Sequence, residues 1–146
     1  MSAKTVIDPK YCLGIEEMDV QHARWIQLIS EFRSAASGLL RDQAAFDAAA
    51  FALERLLDYT NTHFASEEAF LATRQYPDLE AHQRQHRELK SVVVKLLKEI
   101  REHSSSNTPL KLNLFVSIWL LEHIMQDDGK YARFILGQSA GPGLGN

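Results

Sequence analysis

Five of the six histidines in this 146-residue chain stand where a helix facing a protein core would ordinarily carry an apolar residue. They are His22, His63, His82, His86 and His123, and Glu67 follows the same pattern. An ionisable side chain is costly to bury unless it is paired with an opposite charge or bound to a metal ion. One such histidine is more often a hydrogen-bonded core residue, but five of them with a carboxylate favour a metal site.

The spacing of two pairs supports a shared site. His63 and Glu67 are spaced i, i+4, as are His82 and His86. The two members of each pair therefore lie on the same helix face, about 6 Å from each other. In an antiparallel bundle, the beginning of one helix lies beside the end of the next. The positions of these residues within their helices then bring all of the candidate ligands toward one end of the bundle.

The last predicted helix also requires a carboxylate after His123, and two are available. Helical spacing favours Asp127 at i+4, on the same face as His123. Asp128 is rotated by about 140° from His123 on an ideal helix. It reaches the cluster only around its edge or through a local π-type bulge. Spacing alone leaves the choice open and favours Asp127.

The elements that position these residues are predicted to be four helices. Apolar residues and candidate ligands step by three and four along each segment, which places them on one stripe facing a common core. Gly38 fits a C-terminal cap of the first helix, and Thr108 followed by Pro109 fits the start of the fourth. The predicted helices cover about residues 19–36, 42–73, from the break at 76–78 to 102, and 109–136.

Four long helices with short connections predict an all-α, up-down-up-down antiparallel four-helix bundle. The first dozen residues are expected to form a non-helical N-terminal arm. The bundle domain is expected to span residues 1–136, and the Gly-rich residues 137–146 a short flexible tail.

Composition narrows the function classes. The net charge of −3 lacks the basic surplus of a nucleic-acid-binding protein. No apolar run is long enough to span a membrane, and the N-terminus lacks the apolar stretch of a signal peptide. The single cysteine, Cys12, is expected to be buried or half-buried and indicates a reducing compartment, with the cytoplasm as the expected location.

The chain resembles the hemerythrins, in the bacterial single-domain form. The resemblance rests on five stretches in order: residues 14–22 (GIEEMDVQH), 63–68 (HFASEE), 76–77 (YP), 82–86 (HQRQH) and 119–131 (WLLEHIMQDDGKY). Each stretch alone is weakly specific, but together they cover most of the chain. Gln85 stands where the family often has an acidic residue, and Gly129 where a larger residue is usual.

The resemblance implies a ligand set. The final family pattern, His-x-x-x-x-Asp, ends at Asp128 and therefore overrules the preference for Asp127. The implied cofactor is two iron ions with an oxo or hydroxo bridge. Glu67 and Asp128 are implied to bridge the two ions. One iron is implied to take His82, His86 and His123, and the other His22 and His63.

The resemblance also implies a function. One iron keeps an open position, at which dioxygen is expected to bind reversibly, so the protein is expected to be an oxygen carrier rather than an enzyme. Trp119 and Leu120 are expected to border the bound oxygen or simply to pack in the core. A monomer is expected, with an oxygen-consuming oxidase as a candidate partner.

Alternatives remain open at the level of sequence. The same scaffold could serve a di-iron enzyme or a sensor acting on dioxygen, peroxide or nitric oxide. Five imidazoles with two carboxylates differ from the carboxylate-rich Glu-x-x-His sites of ferritin-like oxidases, which favours oxygen binding. A structural zinc bundle is disfavoured because seven ligands exceed what tetrahedral zinc uses.

Overall fold

The computed structural model describes residues 8–36, 42–102 and 117–139, and within these ranges the chain is helical and contains no strand. Helix α1 spans Glu16–Ala35, α2 spans Gln43–Thr73 and α3 spans Leu79–Glu102. The described part of α4 covers residues 117–139, with a π-helical segment at Ile124–Asp128 followed by Gly129–Ser139. The all-α four-helix bundle expected from the sequence is confirmed.

The N-terminal arm is tied to the first turn of α1. The Asp19 carboxylate accepts hydrogen bonds from the backbone N–H groups of Leu13, at 2.7 Å, and Gly14, at 3.1 Å. Gly14 has a φ of +83°, a conformation that glycine adopts readily. These bonds start α1 at Glu16, three residues before the predicted start at residue 19. The arm is not wholly non-helical, because Pro9–Tyr11 form a 3-10 turn.

The connection from α2 to α3 is a tight helix C-cap. Gln75 adopts a left-handed φ of 56°, and Tyr76 donates its backbone N–H to the carbonyl of Leu71 at 3.1 Å. The side chains of Leu71 and Tyr76 are both buried in one apolar cluster, as in a Schellman motif. Pro77 then prevents the helix from continuing. The chain reverses within a few residues, which brings the end of α2 beside the beginning of α3.

The core has a polar layer between two apolar clusters. The first cluster includes Trp25, Phe64 and Ile124, and the second includes Met18 and Tyr131. Buried ionisable residues lie between them along the helices, for example His22 between Met18 and Trp25 in the sequence of α1. The bundle therefore presents its polar side chains to one another in a layer that apolar residues enclose.

The structure corrects the predictions for Cys12 and for the end of α4, and several other predicted positions lie outside the described residues. Cys12 is exposed rather than buried or half-buried, because it lies on the arm just after the 3-10 turn. Helix α4 continues to Ser139, beyond the predicted end at residue 136. Gly38, Thr108, Pro109 and residues 140–146 lie outside the described residues. None of the described helices carries an apolar stretch long enough to cross a lipid bilayer.

Candidate metal centre

Seven ionisable side chains from all four helices converge in the polar layer. None is more than 4% exposed to solvent. They form two groups, within each of which the potential ligand atoms lie within 4.8 Å of one another. The first group is Glu67, His82, His86, His123 and Asp128, and the second is His22, His63, Glu67 and Asp128. The structure thus brings together every residue that the sequence proposed as a ligand, and two carboxylates belong to both groups.

Each shared carboxylate divides its oxygens between the two groups. Oε1 of Glu67 lies 2.7 Å from His82 Nε2 and 3.1 Å from His86 Nε2. Oε2 of the same carboxylate lies 3.3 Å from His22 Nε2 and 3.4 Å from His63 Nε2. This is the arrangement of a carboxylate that can bridge two metal ions.

Asp128 repeats the division. Its Oδ1 lies 3.2 Å from both His82 Nε2 and His123 Nε2, whereas its Oδ2 lies 3.0 Å from His22 Nε2. Two neighbouring ligands of one small metal ion, each bonded at about 2.1 Å, are separated by roughly 3 Å. The nitrogen–oxygen distances in both groups are therefore compatible with a metal ion between the partners.

The hydrogen bonding of the cluster also fits a cation. Both carboxylate oxygens of Asp128, both ring nitrogens of His22 and Nε2 of His63 are buried without a hydrogen-bond partner in the described part of the chain. A buried polar atom left unpaired costs about 1–3 kcal/mol, and a charged one costs more. Lone pairs on these oxygens and on the imidazole Nε2 atoms can instead be donated to metal ions, so the residues present fit a metal pair.

The π-helical segment decides the roles of the two neighbouring aspartates. It inserts an extra residue into the turn after His123, and Asp128 is buried facing the cluster. Asp127 instead accepts a hydrogen bond from the outer nitrogen, Nδ1, of His123 at 2.9 Å. Helical spacing correctly predicted that Asp127 contacts His123. The contact, however, is with the nitrogen that points away from the cluster.

Three outer hydrogen bonds orient the imidazoles. His86 Nδ1 pairs with Glu68 Oε1 at 2.8 Å, and His63 Nδ1 pairs with Gln21 Oε1 at 2.7 Å, in addition to the His123–Asp127 pair. In each case the acceptor holds the proton on Nδ1 and leaves Nε2 free to bind a metal ion. Neither Glu68 nor Gln21 was predicted as a partner from the sequence, although each directly adjoins a candidate ligand in the chain.

Tyr131 is a further residue of the site that the sequence analysis assigned no role. Its buried hydroxyl donates a hydrogen bond to Oε2 of Glu67 at 2.9 Å. Burial and the nearby carboxylates Glu67 and Asp128 raise the pKa of Tyr131 far above its ordinary value, so the phenol stays protonated and remains a donor. It is one turn beyond Asp128 in α4, and this spacing is the signal that could have identified it.

Without a metal ion, the carboxylates are balanced by protonated imidazoles. Burial lowers the pKa of His22, but the Asp128 and Glu67 carboxylates outweigh burial and raise it to about 9. The same balance raises the pKa of His82 to about 9 and that of His123 to about 10. For His63 burial dominates, and its pKa falls to about 4.

The pKa values of the two carboxylates, Glu67 and Asp128, shift downward instead. Burial alone would raise the pKa of Glu67, but the imidazoles of His22, His82 and His86, each within 3.3 Å of its oxygens, hold it well below its ordinary value. The pKa of Asp128 is also strongly lowered, because His123 and His22 outweigh burial and the charge of Glu67. Both carboxylates are therefore ionised at neutral pH, and a bound cation would replace the imidazole protons.

The two residues proposed to border bound oxygen lie in different environments. Leu120 is 1% exposed and belongs to the apolar cluster that contains Trp25, Phe64 and Ile124. Trp119 packs against that cluster but is only half-buried, and it also lines an open surface groove beside Arg84 and Arg87 of α3. Of the pair, only Leu120 is enclosed by the core.

The fold and site define a helical-bundle protein with a buried cluster of imidazoles and carboxylates suited to metal ions. Residues 13–135 match the family described as the hemerythrin HHE cation binding domain. The chain belongs to the hemerythrin family.

Named relatives cover much of the chain. A bacteriohemerythrin of Stenotrophomonas maltophilia is 31% identical over 122 residues, which is 82% of this chain and 74% of the relative. One from Pseudomonas aeruginosa is 31% identical over 120 residues, covering 81% of this chain and 72% of the relative. A bacteriohemerythrin of Clostridium acetobutylicum is 28% identical over 123 residues, covering 82% of this chain and 92% of the relative.

Proposed function

We propose that the buried cluster holds two iron ions and that the protein binds dioxygen reversibly at this centre. The observation that carries the proposal is the division of the two shared carboxylates. Each directs one oxygen toward the three-histidine group and the other toward the two-histidine group. Such a pair of shared carboxylates favours two metal ions over one, and the mixed imidazole and carboxylate ligands suit iron.

The two groups offer unequal numbers of ligands. His82, His86 and His123 together with the two carboxylates supply five donor atoms, whereas His22 and His63 with the same carboxylates supply four. If two six-coordinate ions shared one further bridging oxygen, the residues of the three-histidine group would complete one ion's ligands. The residues of the two-histidine group would leave one position for a small ligand. A ferrous pair, when bound, supplies the open position and the two electrons that reversible oxygen binding requires.

The surrounding residues favour binding over further reaction. Trp25 and Phe64 are buried against the imidazoles, and the Phe64 ring stacks on His86 with a 3.6 Å centroid separation. Leu120 and Ile124 belong to the same apolar cluster. Apolar walls exclude water and so slow the proton delivery that would convert bound oxygen to released peroxide. The hydroxyl proton of Tyr131 is already engaged in a hydrogen bond to Glu67, so it is not available to protonate bound oxygen.

The test is spectroscopic. The full chain, loaded anaerobically with ferrous iron, should bind about two irons and develop visible charge-transfer bands on exposure to oxygen. Removal of oxygen under argon should return the starting spectrum. Binding of a single zinc ion with rejection of iron would contradict the di-iron centre. Irreversible oxidation at the first exposure would favour the alternative of a di-iron enzyme.

Three finer proposals accompany the oxygen-binding function. The single, exposed Cys12 supports a reducing compartment, and we place the protein in the cytoplasm. We also propose a monomer that delivers oxygen to an oxygen-consuming oxidase. Sedimentation of the iron-loaded chain tests the monomer. Oxygen uptake by cells with and without the protein, at limiting oxygen, tests delivery to an oxidase.

A further inference from the structure

The outer hydrogen-bond partners of the imidazoles carry different charges in the two halves of the cluster. In the three-histidine group, His86 and His123 each donate to a carboxylate, from Glu68 and Asp127 respectively. In the two-histidine group, His63 donates to the neutral amide of Gln21. His22 Nδ1 has no hydrogen-bond partner within the described residues.

From this difference we infer that Glu68 and Asp127 are positioning residues that make the three-histidine half bind ferric iron more tightly than the two-histidine half. The inference rests on the di-iron centre proposed above. A carboxylate that accepts the Nδ1 proton increases the basicity of the imidazole and hence its donation through Nε2. An amide orients the ring equally well but adds no negative charge.

The geometry fits such a role. Both carboxylate contacts are short, at 2.8 and 2.9 Å, and the side chains of Glu68 and Asp127 are 28% and 34% exposed. Partial exposure lets water share the cost of keeping a charge beside a buried ring. The imidazoles themselves are buried, so the charge acts on them through a poorly screened environment.

Asp127 is itself held in place by the chain. Gln85, on α3, donates its side-chain N–H to Oδ1 of Asp127 at 3.1 Å, which leaves Oδ2 for His123. This contact gives the amide of Gln85 a role that an acidic residue could not fill. An ionised acidic residue at this position could not donate to Asp127 and would repel it.

The amide of Gln21 is fixed in the corresponding way. Its N–H group donates to Ser66 Oγ at 2.9 Å, which directs the carbonyl oxygen toward His63. The hydroxyl of Tyr59 donates to the Gln21 backbone carbonyl at 3.0 Å and so ties α2 to this residue. The neutral partner of His63 is therefore as well positioned as the charged partners in the other half.

The experiment uses near-isosteric changes of charge in the full iron-loaded chain. Glu68→Gln and Asp127→Asn remove a carboxylate and retain a hydrogen-bond acceptor, whereas Gln21→Glu adds a carboxylate to the opposite half. Glu122→Gln is the matched control, because Glu122 precedes His123 in the chain but is exposed to solvent. The readouts are the anaerobic midpoint potential and iron retention against a chelator, neither of which requires oxygen binding.

In Glu68→Gln and Asp127→Asn, we expect ferric affinity relative to ferrous affinity to fall about tenfold, within the usual range for such partners. A tenfold loss raises a one-electron potential by about 59 mV. Gln21→Glu should shift the potential in the opposite direction, and Glu122→Gln should leave it unchanged. Loss of iron from the two carboxylate variants alone, with the helical signal intact, would also support the inference.

Potentials for Glu68→Gln and Asp127→Asn equal to that of Glu122→Gln would overturn the inference, as would a rise in potential for Gln21→Glu. A wild-type protein that holds two irons but does not release oxygen would reject the oxygen-binding proposal. The potentials would still test the inference, so the two failures are distinguishable.

Discussion

At one level of the bundle, Phe32, Leu53 and Leu96 belong to a single buried apolar cluster. Further along the same helix stripes, the inward positions carry imidazoles and carboxylates that are just as deeply buried. The stripes are continuous, so helical periodicity places both sets in the core. The apolar side chains satisfy one another by packing, whereas the polar layer requires a cation or internal protons to balance its charges. Stability should therefore depend on metal and pH through the polar layer alone.

The largest expected effect separates the two neighbouring aspartates. Asp128→Ala removes a bridging candidate from both ligand groups and should abolish binding of the iron pair. Asp127→Ala removes only an outer partner of His123 and should weaken iron binding about 10- to 100-fold. Metal analysis after gel filtration and chelator competition measure both effects. If Asp127→Ala alone lost the iron, the simple i, i+4 preference would be correct and the π-helical assignment of roles wrong.

A change in the apolar cluster should behave differently. Leu53→Ala leaves a cavity at a fully buried position and should lower the free energy of unfolding by about 2–5 kcal/mol. We expect the same loss with and without iron, and an unchanged visible spectrum. Urea unfolding of both forms provides the measurement. A loss of visible bands in this variant would show that the apolar cluster and the polar layer are coupled, contrary to the comparison.

The polar layer should give the metal-free and iron-loaded proteins opposite pH dependence. Without metal, the pKa values of His22 and His82 are raised to about 9 and that of His123 to about 10. Their stabilising contribution is present below the unfolded value of about 6.5 and is lost as pH rises through 9 to 10. With iron, the imidazoles must be neutral, so stability is lost as pH falls below about 6.5.

Urea midpoints measured from pH 4 to 10 for both forms, with the bound iron quantified at each pH, test these trends. His63, with its pKa lowered to about 4, opposes the other histidines below pH 6.5, so the metal-free trend is clearest above neutrality. A metal-free protein that becomes more stable between pH 7 and 10 would contradict the proposed balance of charges. Iron retained without loss at pH 4 would contradict the trend for the loaded form.

The smallest expected effect concerns the boundary between the two layers. Leu120→Ala should speed oxidation of the oxygenated centre several-fold, because a smaller side chain admits water toward the imidazoles. Ile118→Ala is a suitable control, since Ile118 lies on the exposed face of the same helix. Decay of the visible bands in air measures the rate. Equal decay in both variants would make Leu120 a packing residue only.

Much of the architecture was accessible from the sequence for a simple physical reason. The 3-and-4 spacing is a local property of each helix, and burial of the resulting stripe follows without knowledge of the partner. Ionisable residues on such stripes are conspicuous because their burial is costly, so His63, Glu67, His82 and His86 could be proposed from spacing. The start of α2 has an equally local cause, because the Asp42 carboxylate before it accepts the backbone N–H of Ala45 at 2.8 Å.

By itself, then, the sequence determined which residues face inward and that their chemistry suits metal ions. Only the tertiary structure decided how the seven side chains divide into two groups of potential ligands. The π-helical turn that directs Asp128 inward and Asp127 to the outer nitrogen of His123 breaks the regular period on which sequence reasoning depends. Two of the outer hydrogen bonds join different helices: Glu68 with His86, and Gln21 with His63. Such contacts depend on the relative register of two helices, which the spacing within either helix does not reveal.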